Sequence, residues 1–544
     1  MSPSQTTHSR QPSPPGAAAG ENRLIWVVWW TYGAFYFCRN NLSVALPGIE
    51  ADLGYDKQTM GTVLMALKVA YGLGQLVNGQ MAERFSPKRM LAVGMFATAA
   101  LNVVFGFGTA LYFFIFVWAL NGYSQSLGWT PCVRVIGNWI PVARRGWAVG
   151  IIGTGYQLTG ALTYVLAGTA VYLFEWRGAL FVPPVILVTS AVVMLVGLHE
   201  RPESADVAAP LDDASEPDQP TTGVFANMRL TLSNPALWIL GLSLGMLNAC
   251  RYGYLDWGVS HLQDIERNRV VVSQIDEALP ELVDSDADRL RQLRAADLAA
   301  QATKRQLQQA IDDGLFANVQ RRLLLESLLE ENMLSDEDRA EFNELRQLDF
   351  DEPDAQRRLA EAVKRGALSG IGQTARASIL KSAIRYALLP FGAIFGSFLA
   401  GWATDRFFAS RRAPVMCLLL VGLGMLTLVY DFVARSSFLG TMVLLLLVGF
   451  CVYGPQVLLV GTAPADLAKR GTSAAAAGFV NAMGYAGAAV LGDQLTGYLV
   501  DSYGWQVAIW VLAGWAFGAA MLTAVLWNAV APDEESPAID TTGV

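Results

Sequence analysis

Gly79-Gln80-Met81-Ala82-Glu83-Arg84-Phe85 is a short polar turn between two apolar blocks, and it returns 322 residues later as Gly401-Trp402-Ala403-Thr404-Asp405-Arg406-Phe407. A recurring Gly-x-x-x-acidic-Arg-Phe turn predicts a chain built from two similar halves. Other pairs keep step. Pro131 answers Pro455 at an offset of 324, and Arg145-Gly146 answers Arg470-Gly471 at 325. Arg39 and Arg251, each inside an apolar block, are only 212 apart. The shortfall against 322 is 110 residues, so an insertion lies between Arg251 and Gly401.

The blocks around these turns are long. The stretches 24–46, 178–198, 415–433 and 505–530 are each close to the roughly 20 residues that cross a bilayer core as a helix. The whole chain has 544 residues, 53% hydrophobic and only 16% charged, with mean hydropathy +0.34. A soluble chain would carry about a quarter charged residues. Open strands leave backbone groups unpaired in lipid, so the blocks are predicted as helices. Twelve spans are expected, near 24–46, 58–81, 89–107, 110–132, 146–172, 178–198, 235–261, 382–404, 414–432, 437–461, 473–499 and 505–530. The fold class is an all-α membrane protein with two pseudo-symmetric six-helix halves and a soluble helical insertion between helices 7 and 8.

An even count sets both termini on one side. Arginine and lysine in short loops mark the cytoplasmic side. The even-numbered loops carry thirteen, among them Arg84, Arg89, Arg134, Arg144, Arg201, Arg412 and Arg470, whereas the short odd-numbered loops carry three, Lys57, Arg177 and Arg435. Both termini are expected in the cytoplasm of a bacterial inner membrane. The first 20 residues are rich in Ser and Pro and lack an apolar core, so no cleavable signal peptide is expected.

The insertion, 263–378, carries 24 acidic and 16 basic residues, so its net charge of −8 equals that of the whole chain. It lacks Trp, Tyr and Cys, and Leu323, Leu324, Leu328, Leu329 and Leu334 recur at roughly helical spacing. It is expected as a helical module in the periplasm, covering the pore mouth, recruiting a partner, or simply tolerated. The expected divisions are a disordered tail at 1–23, a first half at 24–199, a cytoplasmic linker at 200–233, helix 7 at 234–262, the insertion at 263–378, helices 8–12 at 379–531 and a tail at 532–544.

Six stretches, in order, then identify a relationship. They are Phe37-Cys38-Arg39-Asn40-Asn41, Ala70-Tyr71-Gly72, Gly128-Trp129-Thr130-Pro131-Cys132-Val133-Arg134, Arg251-Tyr252-Gly253-Tyr254-Leu255-Asp256-Trp257, Tyr453-Gly454-Pro455 and Gly497-Tyr498-Leu499-Val500-Asp501. Together with the repeated turns they resemble the major facilitator superfamily, and within it the organophosphate:phosphate antiporters, which include glycerol-3-phosphate and hexose-6-phosphate transporters. The resemblance implies that Arg39 and Arg251 face each other across the pore and clamp a phosphate. It also implies that Tyr32, Tyr36, Tyr71, Tyr453 and Trp129 line the pore. The chain departs from the family where substrates are read. Asn40 follows Arg39 in place of a lysine, Gln75 replaces a helix 2 lysine, and Ile152, Gly153, Tyr156 and Gln157 replace the helix 5 signature. The substrate is expected to be a small phosphorylated organic anion, with neither glycerol 3-phosphate nor glucose 6-phosphate singled out, and a different phosphorylated compound, a phosphonate or another small anion remains open.

The chemistry of the arginine pair stands without the family. A charge deep in a membrane span is costly and is usually functional. Guanidinium forks bind phosphate oxygens in pairs and stay charged. The alternative is two arginines held in salt bridges. Lys68, two turns before Gln75, and Asp493 in helix 11 are charges that the family pattern lacks. They are expected to pair as a gate on the outer side; alternatively Lys68 reaches water or pairs with Asp256. No nucleotide-binding loop, metal-ligand spacing or nucleophile motif occurs, so no enzyme activity, cofactor, metal or nucleic-acid partner is expected. The five cysteines are expected as small buried hydrophobes, and none of His8, His199 and His261 is expected mid-span. The partners implied are the lipid bilayer, the phosphorylated substrate with phosphate in exchange, and a periplasmic protein for the insertion. A sugar-phosphate sensor and a proton-coupled anion symporter are the competing functions.

Overall fold

The computed structural model describes residues 17–201, 229–282, 284–313, 315, 369–408, 411–468 and 473–528, and every regular element among them is helical. Residues 1–16, the tail at 532–544, most of the 200–233 linker and the Leu323–Leu334 pattern lie outside the described residues, whereas residues 17–23 of the expected disordered tail are helical, because the first turns of α1 extend beyond the apolar block.

Span 1 is broken into α1 (Ala17–Ala34), a 3-10 turn (Phe35–Cys38) and α2 (Asn41–Leu53). A break in a buried helix frees a carbonyl that must find donors. Here Cys38 O accepts from three side-chain amides: Asn102 at 3.3 Å, Asn121 at 3.2 Å and Gln125 at 2.8 Å. Span 2 is α3 (Lys57–Arg84), capped by Asp56 Oδ1, which accepts from the Thr59 amide at 2.8 Å. Span 3 is α4 (Pro87–Gly106), and span 4 is α5 (Leu111–Gln125) followed by α6 (Trp129–Trp139). Arg134, in the Gly-Trp-Thr-Pro stretch, donates to Ala82 O and, at 2.9 Å, to Phe85 O, so it holds the C-terminal end of α3 and the repeated turn.

Spans 5 and 6 form α7 (Val142–Gly197), broken at Phe174 and Glu175. Glu175 has φ 61°, a left-handed conformation unfavourable for a residue with a Cβ. Its carboxylate is held by Arg376 at 2.8 Å, and the next residue, Trp176, donates to Asp52 at 2.9 Å.

Span 7 is α8 (Pro235–Ala278), 44 residues long. At 1.5 Å per residue it measures about 66 Å, roughly twice the bilayer core. It therefore carries the chain out of the membrane and into the insertion without a break. A 3-10 turn (Leu279–Glu281), α9 (Asp284–Ala295) and α10 (Gln301–Asp312) follow. Ile275 and Ala278 of α8 pack with Leu290, Leu293 and Ala310 into a small core of their own. The second half continues with α11 (Ser369–Tyr386), α12 (Leu388–Phe407), α13 (Arg412–Ser436) and α14 (Phe438–Val457). A π-turn (Leu458–Thr462), α15 (Ala463–Leu467), α16 (Ser473–Gly487), a second π-turn (Ala488–Gln494), α17 (Leu495–Tyr503) and α18 (Trp505–Val525) complete it.

Among the described residues, seven helical stretches are long and apolar enough to cross a membrane, and one of them, Trp147–Gly197, contains both spans 5 and 6. The expected spans outside this group are 1 and 4, which are broken, and 2 and 7, which carry Lys68, Arg251 and Asp256. Large apolar side chains point outward along the bundle, including Leu73, Phe116, Val196, Phe398, Phe432 and Met521. In water such a belt would drive association, whereas in a bilayer it is the solvated surface.

The halves meet where α2 packs on α8, α7 on α11 and α12, and α3 on the second π-turn and α17. The face carrying α9 and α10, termed the module face, is tied across both halves. Gln58 N donates to Asp501 at 2.6 Å and Thr62 to Gln494 at 2.9 Å. A Cβ on Gly61 would stand 2.8 Å from Asp493 O, so glycine is required for this approach. The molecule is closed on this face.

Candidate substrate-binding site

Arg39 emerges at the break between α1 and α2, in the middle of the first half. Its Nε donates to Gln125 Oε1 at 2.5 Å and its Nη1 to Tyr36 Oη at 3.2 Å. Gln125 uses its other end on Cys38 O, so one amide both repairs the helix break and aims the guanidinium. The guanidinium carbon lies 4.6 Å from the Tyr36 ring centroid and 4.5 Å from that of Tyr71. Arg251 of α8 is built the same way. Its Nη2 donates to Tyr453 Oη at 3.1 Å, and it stacks on Tyr252 at 4.8 Å and Tyr453 at 4.7 Å.

Both arginines are buried. Among the described residues neither is ion-paired with a carboxylate, which removes the salt-bridge alternative. Each keeps an enclosed N–H group without a partner, Nη2 of Arg39 and Nε of Arg251. Tyr36 lies within electrostatic reach of both guanidiniums. Two desolvated cations with unused donors, cradled by aromatic faces, have the chemistry to receive a small anion with several oxygens.

The remaining expected residues are distributed around this pair. Tyr156 lies flat against Tyr36, with centroids 5.0 Å apart, and Tyr32 meets Tyr36, Tyr156 and Trp129 at 5.9, 5.9 and 4.8 Å. Tyr71 packs on Tyr485 at 4.9 Å. Gln75, one turn from Tyr71, has an enclosed Nε2 without a partner. Gln157 donates to Ser397 at 3.1 Å across the halves, and its Oε1 is unpartnered. Arg39, Asn40, Lys68, Tyr71, Tyr252, Asp256 and Tyr485 line one cavity together. Lys68 Nζ reaches Asp256 at 2.6 Å and Asp493 at 2.5 Å, so it satisfies both expected partners at once rather than one.

Several residues of the site were not anticipated. Gln125, Tyr252 and Tyr485 carried no signal beyond Tyr252 being adjacent to Arg251. Lys57, expected in a loop, is buried and pairs with Glu50 at 2.7 Å and Asp264 at 3.1 Å. His261 is likewise buried, between Tyr430 at 3.1 Å and Asp431 at 2.9 Å. The module lies over the Lys57 cluster. Gln301 donates to Asp56 at 3.0 Å, and Asp297 accepts from the Trp505 amide at 2.8 Å. Burial, with the Lys57 ammonium nearby, pushes the Lys304 ammonium of α10 below its usual value.

The model of the Major Facilitator Superfamily matches residues 28–266 and 366–542. A probable hexose phosphate transport protein of Chlamydia muridarum is 24% identical over 93% of this chain and 91% of its own length. The glycerol-3-phosphate transporter of Bacillus subtilis is 22% identical over 91% and 90%, and the membrane sensor protein UhpC of Escherichia coli is 20% identical over 94% and 93%. Among solved structures, a bacterial homologue of the lysosomal transporter Spinster in an inward-facing conformation superposes with TM-score 0.56 at 12% identity, covering 95% of both chains. The nucleoside transporter NupG superposes at 0.57, also at 12%, covering 93% of this chain and 99% of its own. The chain is a multi-pass membrane transporter, not an enzyme, and belongs to the major facilitator superfamily.

Proposed function

We propose that this protein carries a small phosphorylated organic anion across the bacterial inner membrane by alternating access, in exchange for inorganic phosphate. The observation that carries the reading is the pair of buried guanidiniums, Arg39 and Arg251, each without a carboxylate partner among the described residues and each with an unused N–H. Relatives named for hexose phosphate and glycerol-3-phosphate transport support it. Tyr32, Tyr36, Tyr71, Tyr156 and Tyr453 orient the arginines and exclude water, while Gln75 and Gln157 supply amide groups for reading the organic part. Twelve crossings with both termini in the cytoplasm follow from the distribution of Lys and Arg, and the module then faces the periplasm. Closure on that side rests on Lys68 with Asp256 and Asp493, and on Lys57 with Glu50 and Asp264.

Uptake of a labelled hexose phosphate into proteoliposomes loaded with inorganic phosphate tests this. Exchange is expected with no ion gradient imposed. Saturable binding without flux would replace the transporter by a sensor. The module, seated on the closed face and free to meet a periplasmic protein, and the similarity to UhpC keep that reading in view.

A further inference from the structure

We propose that Asp256 and Asp493 form a proton-binding site, and that one proton taken up there travels with the phosphorylated anion. The inference rests on the phosphate-ester reading of the arginine pair.

Lys68, Asp256 and Asp493 are 3%, 6% and 0% exposed. One ammonium meets two carboxylates, at 2.6 and 2.5 Å, so the trio carries one surplus negative charge with both acids ionised. Two carboxylates sharing one ammonium repel each other, which favours a proton on one of them. Because both carboxylate oxygens touch the same ammonium, at 2.6 and 2.5 Å, they stand no more than 5.1 Å from each other. Asp493 Oδ1 is enclosed and has no donor. Asp493 itself sits in the π-turn Ala488–Gln494, a local widening that recurs at functional sites in helices.

The other groups that could hold or repel this proton are few. From α3 come Lys68 and Tyr71, from α8 Arg251 and Tyr252, and from α16 Tyr485. Tyr164 of α7 and Tyr453 of α14 lie near Asp256, Arg39 lies across the cavity, and Asp501 of α17 is bound to Gln58 N. No histidine is among them. Tyr252 joins the two sites, since Lys68 Nζ lies 4.4 Å and the Arg251 guanidinium carbon 4.8 Å from its ring centroid. An anion on Arg251 is therefore felt at the lysine and its acids.

The charges give the coupling. Arg39, Arg251 and Lys68 supply three positive charges. With both acids ionised the cavity is +1, and with one proton bound it is +2. A phosphate-ester dianion is neutralised by the protonated cavity and a monoanion by the deprotonated one. Crossing the low-dielectric interior is cheapest for a neutral loaded site. In the step itself a proton from the aqueous phase bonds to one carboxylate oxygen on loading, and that bond breaks to water on release. No other reactant is required.

Infrared difference spectroscopy of the wild-type protein in lipid, titrated through neutral pH, reads the site without any substrate. The expected result is the carbonyl band of a neutral carboxylic acid, shifted by isotopic labelling of aspartate and lost in Asp493→Asn. Phosphate self-exchange by the same proteoliposomes, wild type against Asp493→Asn, supplies a second readout. The ratio of the two rates cancels the ionisation of phosphate itself. It should change by roughly tenfold between about pH 6 and about pH 8. Absence of a neutral aspartic acid band at every pH, or a rate ratio independent of pH, overturns the proton site. If the band is present but phosphate exchange is absent in the wild type, the transport reading falls and the proton site stands.

Discussion

Arg39 and Arg251 are held by tyrosines and a glutamine rather than by carboxylates, so their charge remains available to a ligand. Replacing either by lysine keeps the charge and removes the fork. Each such variant should lose one charge-assisted hydrogen bond, about 1.5–3 kcal/mol, or roughly 10- to 150-fold in phosphate-ester affinity. Competition of unlabelled ester with a bound labelled one measures it; unchanged affinity in both variants would refute the clamp. These two residues were legible in the sequence because a charge inside an apolar block has few explanations. Lys57 was not, because a lysine at a helix start reads as a loop cation. Only the fold brings Glu50 and Asp264 to it from other helices. Gln125 escaped for a similar reason: its task, meeting Cys38 O and Arg39 together, exists only once α5 packs on the broken helix 1.

Helices here are shaped by where they break. The repeat, the apolar blocks and the polar insertion were readable as elements, because each rests on composition over many residues. The 3-10 turn before Arg39 and the two π-turns were not, since one residue more or less per turn leaves no compositional trace. The uninterrupted run of α8 to Ala278 was equally hidden, because the polarity changes near residue 263 while the helix continues. One module contact is a helix cap supplied from a distance. Gly504, before α18, has no capping side chain, and Asp297 accepts from the Trp505 amide in its place. A carboxylate there also meets the positive end of the helix dipole. Asp297→Ala should therefore cost about 1 kcal/mol, within the usual range for a lost cap. Thermal unfolding in detergent measures it, and an unchanged midpoint would mean that the module does not brace α18.

Across the whole molecule, the module face is closed by charges that belong to opposite halves. Lys57 opens the first half's α3, and Asp264 lies on the second half's α8, with Trp505 also donating to Asp264 at 2.8 Å. Lys57→Met takes the ammonium away from buried Asp264 and partly buried Glu50, a penalty of about 3 kcal/mol on the closed state. Spin labels at Gln58 and Tyr503 should then report a second, longer distance population that the wild type lacks. A single short distance in the variant would show that the closure does not depend on Lys57. Behind this closed face Tyr252 touches both Lys68 and Arg251, and Arg39 lines the same cavity as Lys68 and Asp256. A structure of the protein with a hexose phosphate bound tests the arginine clamp most directly. The phosphoryl group is expected between the unused Nη2 of Arg39 and Nε of Arg251, against the rings of Tyr36 and Tyr453. A phosphoryl group bound elsewhere, with both arginines still turned to their tyrosines, would contradict it.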